Sequence, residues 1–494
     1  MQSSHDGSAP AAHETMTKDP LLAEAFRLIE DYLAANADPE TPVIEYHEPA
    51  ALAARLDLSL GPEGVPAEDL VPLLESYLRY SLRSGHRQFH NQLWGGFHRA
   101  GFLGDVAASL ANTSMYTYEV APVATLIELE LSAKMCSFLG FAGGEGIFTS
   151  GSSNANQIAM LCARHRAFPE VRDRGWSGEK ATVLVSDQSH YSFLTAASVS
   201  GIGLDRVIQV KTDGRGRMIP GELSRQIAAS RERGETPFMV GATAGTTVLG
   251  AFDPLPEIAE VCGRHGLWLH VDGAWGGPVV LSPRHKHLLA GVEAADSFAW
   301  DAHKMMGATL MCSAFLTRHP GVLYQVSATS SGDPEYLFHD AGDGAPDLGK
   351  RSLQCGRRVD ALKLWLMWKH EGDRGFAARV DRLFELAAFA TAEVERRDRF
   401  ELTAPTQSLN VCFRYLPGDG AADSAATDRL NVETRERLRK SGRAMVNYSR
   451  VDGRVAIRLV FANPEVGEAD VARFFDLFAE TAEEILASAE AVPV

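Results

Sequence analysis

The chain has 494 residues, 45% of them apolar, and a formal net charge of −16 at pH 7. The length exceeds what one compact core supports, so a large domain with smaller lobes is expected, and the apolar content excludes a disordered chain. The acidic charge argues against nucleic acid or an acidic membrane surface as a partner, because both are polyanions.

The N-terminal part of the chain is predicted to form a helical lobe. Residues 1–18 are polar and show no targeting pattern, so a polar tail is expected there. Residues 20–36 and 66–84 carry apolar positions at helical spacing. The segment 85–97 is rich in polar and aromatic groups and is predicted to be a loop.

From about residue 104 to 385, long helices such as 120–139 alternate with short apolar segments. This alternation predicts an α/β fold, in which a mostly parallel sheet carries helices on both faces. The strand candidates are 181–186, 205–210, 238–243, 267–272 and 311–316.

The C-terminal part is predicted to be a small α+β domain. A helical stretch at 374–398 precedes two strand candidates, 408–415 and 454–461. The predicted division of the chain is an N-terminal tail and helical lobe (1–103), a large domain (104–385) and a small C-terminal domain (386–494).

The cysteines and histidines are typical of an intracellular protein without a metal centre. The six cysteines show no C-x-x-C or framework spacing, which favours buried thiols in a reducing cytoplasm. The histidines form no H-E-x-x-H or comparable pattern, so no metal site is predicted. No apolar run is long enough to span a bilayer, and no membrane association is expected.

The segment HVDGAWGG (270–277) reads as a strand that ends in Asp272 and is followed by a tight turn. Ligands of α/β sheets lie at the carboxyl ends of strands, so Asp272 is placed to face a site. There its carboxylate could pair with a protonated pyridine nitrogen, and the small Ala274 could let a ring lie against the backbone. For an isolated Asp-Gly pair, a turn cap would be the better interpretation.

The segment SFAWDAHKMMGA (297–308) places His303 and Lys304 in surroundings that are poor in charge. A desolvated lysine can act as a Schiff-base amine. A single lysine more often extends to the surface, but the pair that follows H-V-D-x-A is a specific signal.

Two further segments complete a candidate cofactor site. In FTSGSSNANQ (148–157), a small-residue turn leads into a helix, and its free N–H groups with Ser152 and Ser153 suit a phosphate. His190 follows a strand and could stack on a cofactor ring. Taken alone, the serine segment could be an ordinary capped helix, and His190 could be a structural histidine.

These blocks, in this order, resemble the group II pyridoxal-phosphate decarboxylases, most closely the cysteine-sulfinate and glutamate (acidic amino acid) decarboxylases. The resemblance runs from about residue 85 to 464, and the H-V-D-x-A-W block with the H-K pair is its most specific part. It implies the aspartate-aminotransferase fold (fold type I), pyridoxal 5′-phosphate as cofactor and a homodimer with shared active sites.

The resemblance also implies roles for individual residues. Lys304 would hold the cofactor as a Schiff base, and Asp272 would pair with its pyridine nitrogen. His190 would stack on the ring and take part in catalysis. The phosphate would be held by Ser152, Ser153 and His303, and the ring pocket would be lined by Thr243 and Ala274.

The segment EYLFHD (335–340) lies in a Gly- and Pro-rich stretch, 328–347, which is typical of a loop that closes over a site. By the resemblance, Tyr336 protonates the substrate carbon after carbon dioxide leaves, which favours an amine product over oxidative deamination to an aldehyde. The alternative is that Tyr336 only anchors the closed loop.

The chain departs from the family pattern near the lysine. Asp301 stands where close relatives often have asparagine, and Ala302 replaces a proline. A carboxylate beside a phosphate is unfavourable unless it points away. His90 replaces an aromatic residue, and Trp94 is bulkier than the residue usual in the glutamate enzymes.

The substrate is expected to be an acidic amino acid. By the resemblance, Arg458 binds the substrate's side-chain acid and Gln92 is its amide partner, which suits a carboxylate or sulfinate. Together with Trp94, Ser114 and Tyr116 would shorten the pocket, so cysteine sulfinate or aspartate is preferred and glutamate comes second. The alternatives are a diamino or aromatic amino acid, transamination on the same fold, and a non-catalytic homologue.

Overall fold

The computed structural model describes residues 19–328, 336–338, 346–418 and 424–490. The N-terminal part is helical, as predicted, and its first helix begins where Asp19 accepts the N–H of Leu21 ahead of a proline in the first turn. Its elements are α1 (Pro20–Ala37), α2 (Pro49–Ala53), α3 (Leu70–Tyr80) and the short strand β1 (Phe89–His90).

A seven-stranded sheet forms the centre of the molecule. Its strands lie in the order β2-β8-β7-β6-β5-β3-β4, and only β8 runs antiparallel to its neighbours. This part comprises α4 (Arg99–Ala111), α5 (Pro122–Phe138), β2 (Glu145–Thr149), α6 (Ser152–Ala167), α7 (Val171–Arg174), β3 (Ala181–Ser186), α8 (Ser192–Val199), β4 (Val207–Val210), α9 (Pro220–Glu232), β5 (Thr236–Thr243), α10 (Leu255–His265), β6 (Trp268–Asp272), β7 (Ser297–Asp301), β8 (Ser313–Thr317), α11 (Val322–Ser327) and α12 (Ala361–Glu395).

The sheet separates two hydrophobic cores because successive side chains of a strand point to opposite faces. In β6, Leu269 and Val271 belong to one core, whereas Trp268 belongs to the other. His270 and Asp272 share the face of Trp268, since they follow it at steps of two. Helix α6 packs on that face, and this arrangement decides which groups contact Asp272.

The predicted fold class is confirmed, and so are the strands predicted from apolar runs, within a few residues at each end. The prediction missed β2 and β7, because glycine in one and polar ends in the other interrupt their apolar pattern. The segment 311–316 is confirmed as strand β8, which runs antiparallel. The domain division stays a prediction; helix α12, which is kinked at Gly372, runs across its second boundary.

The C-terminal part contains a five-stranded sheet in the order β1-β11-β12-β10-β9. Strand β1 pairs with β11, so the N-terminal segment that was predicted to be a loop is tied to the C-terminal sheet. The elements here are β9 (Phe400–Leu402), β10 (Asn410–Tyr415), α13 (Ser424–Ser441), β11 (Met445–Val451), β12 (Arg454–Val460) and α14 (Glu468–Glu490).

His90 on β1 is buried in this C-terminal core. Its ring lies edge-on to Phe461 and Phe474, with centroids 5.6 and 5.5 Å away. Its Nε2 atom has no hydrogen-bond partner among the described residues. Burial lowers the pKa of His90 from 6.5 to about 4, so the ring is neutral at pH 7.

We expect His90→Phe to flatten the acid dependence of stability. Between pH 6.5 and 4 the unfolded chain binds a proton at His90 that the folded chain does not. The contribution of neutral His90 to the free energy of unfolding is therefore fully present above pH 6.5 and is lost as the pH falls toward 4. From pH 7.5 to 4.5 this loss is about 2–3 kcal/mol.

The measurement is the free energy of unfolding of the cofactor-free protein at both pH values. His270, whose pKa burial lowers to about 3, remains in both proteins, so the difference between them isolates His90. Equal acid sensitivity of the two proteins would contradict the prediction.

Within the described residues, no helix is both long and apolar enough to cross a membrane. The same residues contain no group of three or more histidine, cysteine, aspartate or glutamate side chains that could hold a metal ion. All six cysteines are unpaired, and every one except Cys355 is buried.

Candidate active site

A cavity of about 660 Å³ opens at the carboxyl edge of the parallel strands. Thr243 and Asp272 end neighbouring strands and are paired in register, and β7 ends beside them in Asp301. All but three of the predicted site residues line this cavity: Gln92, Trp94, Ser152, Ser153, His190, Thr243, Asp272, Ala274, His303, Lys304 and Arg458.

Asp272 is held by a hydrogen-bonded chain that crosses the sheet face. Asn156 of α6 donates its amide Nδ2 to Asp272 Oδ2 at 2.9 Å, and the backbone N–H of Ala274 donates to Oδ1 at 3.1 Å. The Oδ1 atom of Asn156 lies 2.8 Å from Nε2 of His270, whose Nδ1 lies 2.8 Å from Ser297 Oγ. With neutral His270 donating from Nε2, this chain fixes the orientation of the Asp272 carboxylate.

Sequence reasoning missed Asn156 and His270. Asn156 lies one helical turn after Ser152, so both side chains project from the same face of α6. His270 precedes Asp272 by two residues on one strand and therefore shares its sheet face. These two spacings are the signals that could have revealed the chain of hydrogen bonds.

Lys304 projects into the cavity from the turn that follows β7. Its Nζ atom lies 3.0 Å from Oδ2 of Asp301. Nδ1 of the neighbouring His303 is held 3.0 Å from the carbonyl oxygen of Cys312. Asp301, which the sequence showed only as a departure from the family pattern, contacts Lys304 directly.

The N-terminus of α6 faces the same cavity. Gly151 precedes the helix with φ +138°, a backbone conformation that favours glycine. Ser152 and Ser153 are the first helical residues, so their backbone N–H groups have no partner within the helix. Hydroxyl and N–H donors at a helix N-terminus are suited to a phosphate.

His190 lines the cavity from the loop after β3. Its Nδ1 atom accepts the backbone N–H of Ser192 at 3.3 Å, which leaves Nε2 as the site of the proton in the neutral ring. Burial lowers the pKa of His190; Asp272 opposes this effect and Lys304 adds to it. The ring is therefore neutral at pH 7 and can pack against a flat ligand.

Arg458 enters the cavity from β12. Nη1 donates to the carbonyl oxygen of Thr247 at 2.9 Å, and Nη2 donates to that of Asn91 at 3.0 Å. The Nε–H is buried and has no partner, and no carboxylate among the described residues pairs with the guanidinium. Burial lowers the pKa of Arg458, but an arginine remains charged at pH 7. The cavity therefore contains a buried cation that has no counter-ion within the described part of the chain.

Three predicted site residues lie away from this cavity. The hydroxyl of Ser114 accepts a hydrogen bond from the backbone N–H of Arg357 at 3.2 Å. The carbonyl oxygen of Tyr116 accepts one from the backbone N–H of Gly349 at 2.8 Å. Tyr336 is 84% exposed. The rest of its loop lies largely outside the described residues. Their roles at a shared site stay predictions.

The cavity fits pyridoxal phosphate. The hydroxyl Oγ1 of Thr243 is buried at its wall without a hydrogen-bond partner among the described residues. A buried hydroxyl at such a place is available to a polar ligand. An amine (Lys304), a carboxylate (Asp272) and a helix N-terminus (Ser152) converge on one cavity and match the aldehyde, pyridine nitrogen and phosphate of that cofactor.

Comparisons with known proteins agree with this geometry. Residues 49–416 match the pyridoxal-dependent decarboxylase conserved domain. Cysteine sulfinic acid decarboxylase of Mus musculus is 40% identical over 473 residues, which are 92% of this chain and 96% of that protein. Acidic amino acid decarboxylase GADL1 of Bos taurus is 38% identical over 471 residues, covering 93% and 90%.

The crystal structure of mouse CSAD is similar to this structure, with a TM-score of 0.90 at 38% identity over 94% of this chain and 98% of that chain. A structure of Oryza sativa TDC with PLP and tryptamine has a TM-score of 0.87 at 28% identity, covering 94% and 97%. The chain thus belongs to the pyridoxal-dependent decarboxylase family and is an amino acid decarboxylase whose cofactor is pyridoxal phosphate.

Proposed function

We propose that the protein removes the α-carboxyl group of a short acidic L-amino acid, with cysteine sulfinate or aspartate preferred over glutamate. The products are the corresponding amine and carbon dioxide. The names of the relatives at 40% and 38% identity, a cysteine sulfinic acid and an acidic amino acid decarboxylase, support an acidic substrate.

The buried guanidinium of Arg458 is the observation that carries the proposal. A buried charge is costly unless it is paired. Among the residues that the structure describes, the Nε–H of Arg458 has no acceptor and its guanidinium has no carboxylate partner, which supports a counter-ion supplied by the ligand. A substrate with an acidic side chain provides that anion, whereas a basic side chain would be repelled.

The size of the cavity favours a short acid. Trp94, Gln92 and Arg458 line the same cavity, and the Trp94 ring packs against Phe89, with centroids 5.6 Å apart. A bulky indole there leaves less room between cofactor and guanidinium. A difference of one methylene group between two substrates changes the transition-state binding free energy by roughly 1–3 kcal/mol. The preference for the shorter acid should therefore be about 10- to 200-fold.

The protein's residues position the reacting groups. When bound, pyridoxal phosphate withdraws electrons from the substrate's α-carbon as carbon dioxide leaves. Lys304 would hold the cofactor's aldehyde end, and Asp272, fixed by Asn156, would keep the pyridine nitrogen protonated. His190 would pack against the ring, and Thr243 would donate to a polar group of the cofactor. Ser152, Ser153 and His303 would hold the phosphate, and Ala274 would leave space for the ring.

We infer that two copies of the chain share the active sites. Tyr336 is exposed, and Ser114 and Tyr116 lie outside the cavity of their own chain, so their assigned roles require a second copy. The large exposed side chains Val123 and Leu126 on α5 support such contact. In this assembly Tyr336 donates the proton to the substrate carbon. A mass of one chain, 53.6 kDa, in sedimentation at working concentration would contradict the inference.

The unpaired cysteines support a reducing compartment, and we place the protein in the cytoplasm. Thiol-specific labelling of the unfolded protein, taken directly from cells without reductant, tests this placement. Labelling of fewer than six cysteines would oppose it.

The test of function is carbon dioxide release, with product identification, from cysteine sulfinate, aspartate, glutamate, diaminobutyrate and DOPA at equal concentration. Fastest release from cysteine sulfinate or aspartate is the expected result. Fastest release from glutamate would retain the acidic class and reject the short pocket. Reaction of only diaminobutyrate or DOPA would reject the role of Arg458, and no release from any substrate would favour a non-catalytic homologue.

We expect Arg458→Ala to lower kcat/KM for the preferred acid about 100-fold, mainly through KM, because a charge-assisted contact to the substrate is lost. Arg454→Ala is the matched control, since Arg454 lies on the same strand but is exposed. An unchanged KM in the Arg458 variant, at normal cofactor content, would contradict the assignment.

A further inference from the structure

Asp301 is the most completely enclosed carboxylate of the active site. It is 2% exposed. Its Oδ1 atom accepts hydrogen bonds from the hydroxyls of Ser152, at 2.6 Å, and Ser313. Its Oδ2 atom lies 3.0 Å from Lys304 Nζ and 3.7 Å from His303 Nε2. All four partners donate or carry positive charge, so the surroundings match a carboxylate anion.

The charge of Asp301 depends on these partners. Burial by itself would raise the pKa of this carboxyl, but the Lys304 and His303 charges and the two hydroxyls together hold it below the usual value. Without a cofactor, Asp301 is therefore ionised and forms the counter-ion of Lys304.

Binding of the cofactor would change the charge of Lys304 and would bring a second anion close to Asp301. Lys304 Nζ would form a C=N bond with the aldehyde carbon of the cofactor, and the aldehyde oxygen would leave as water with two protons of the ammonium group. The nitrogen would keep one proton, and nothing would be oxidised or reduced. The phosphate brings negative charge to Ser152 and His303, which contact Asp301. Two anions that share donors in a buried site cannot both stay ionised at little cost.

We propose that Asp301 is a positioning residue that takes up a proton when the phosphate of the cofactor binds, so that this chain couples cofactor loading to pH. The proposal goes beyond the substrate assignment and rests only on the phosphate and amine roles of Ser152 and Lys304. The protonated carboxyl is neutral, keeps its acceptor oxygen for the serine hydroxyls, and gains an O–H donor.

The direction of the pH effect follows from linkage. Because binding takes up a proton, cofactor affinity falls as the pH rises, by up to about tenfold per pH unit. His303, whose Nε2 lies 3.7 Å from Asp301, can also take up a proton when an anion binds, and Asp301→Asn distinguishes the two groups because it leaves His303 in place. Ser152 and Ser313 do not titrate in this range, and Lys304 loses protons as water. The more distant titratable neighbours are His190 and Cys312.

The experiment is calorimetric titration of the full-length, cofactor-free enzyme with pyridoxal phosphate at pH 8. Measurement in buffers of different ionisation enthalpy gives the number of protons taken up. We expect the wild type to take up close to one proton more than Asp301→Asn. Asp301→Asn, with the same shape and no charge, should bind the cofactor about 10- to 100-fold more tightly at pH 8 and show a flat pH profile. Equal proton uptake by the two proteins would overturn the proposal.

Two controls separate this role from a structural one. Ser313→Ala removes one hydrogen bond to Asp301 but keeps the charge, so its proton uptake should match the wild type. Pyridoxal, which has the aldehyde but no phosphate, should bind the wild type without the extra proton. The pyridoxal comparison needs no variant, so it tests the proposal even if Asp301→Asn does not fold. Equal uptake with pyridoxal and pyridoxal phosphate would overturn it.

Discussion

Lys304→Ala is expected to lower decarboxylase activity by a factor of about 10⁴ or more. Among the described residues that line the cavity, Lys304 is the only one with a side-chain amine. Without it the cofactor has no covalent attachment and is held only by the phosphate and ring contacts. Borohydride reduction followed by peptide mass analysis should show the cofactor on Lys304 in the wild type and on no peptide of the variant.

The alanine also removes the cation beside Asp301, so a second variant isolates the chemistry. Lys304→Arg keeps a positive charge within reach of that carboxylate but cannot form the bond. It should be as inactive as Lys304→Ala while retaining the stability of the wild type. Lys286→Ala, at an exposed lysine, is the control that should change nothing. Covalent cofactor on a different lysine of the wild type would contradict the prediction.

The second large effect is expected for Asp272→Asn. Asp272 is buried and fixed by Asn156 and the N–H of Ala274, and in the proposed role its negative charge would keep the pyridine nitrogen of the cofactor protonated. An amide of the same shape cannot do so. The loss of one preorganised electrostatic group at the reacting centre should lower kcat about 10³-fold, with the cofactor still bound.

The measurement is single-turnover carbon dioxide release by the loaded variant, with cofactor content determined separately. Asp187→Asn is the matched control, since Asp187 follows the parallel strand β3 of the same sheet but is exposed and accepts a hydrogen bond from Thr212. A normal kcat in Asp272→Asn, at full cofactor content, would show that this carboxylate serves only the turn at Ala274.

Most of the fold could be predicted from local pattern. Strand β3 is an uninterrupted apolar run, ATVLVS, with every residue buried, so its bounds match the prediction. The missed strand β7, SFAWD, is equally buried but begins with serine and ends with aspartate. Its polar end residues, Ser297 and Asp301, form hydrogen bonds with other buried side chains. The burial of a polar residue depends on such partners, which can be distant in sequence.

The cavity was largely predictable because the carboxyl ends of parallel strands meet at one edge. Asp272 and Lys304 follow neighbouring strands, so their convergence is a consequence of the strand order. The contact between Asp301 and Lys304 could not be predicted in this way. Whether its carboxylate points toward or away from the lysine depends on Ser152 and Ser313, which come from other elements.

The fold class, the family and the cofactor follow from the sequence, because they depend on residue types and on short spacings along the chain. The charge environment of the cavity is visible only in the tertiary structure. Asn156 orients Asp272, Asp301 pairs with Lys304, and Arg458 is buried without a counter-ion among the described residues. Burial and electrostatic pairing result from contacts between residues far apart in the chain, and no local pattern specifies them.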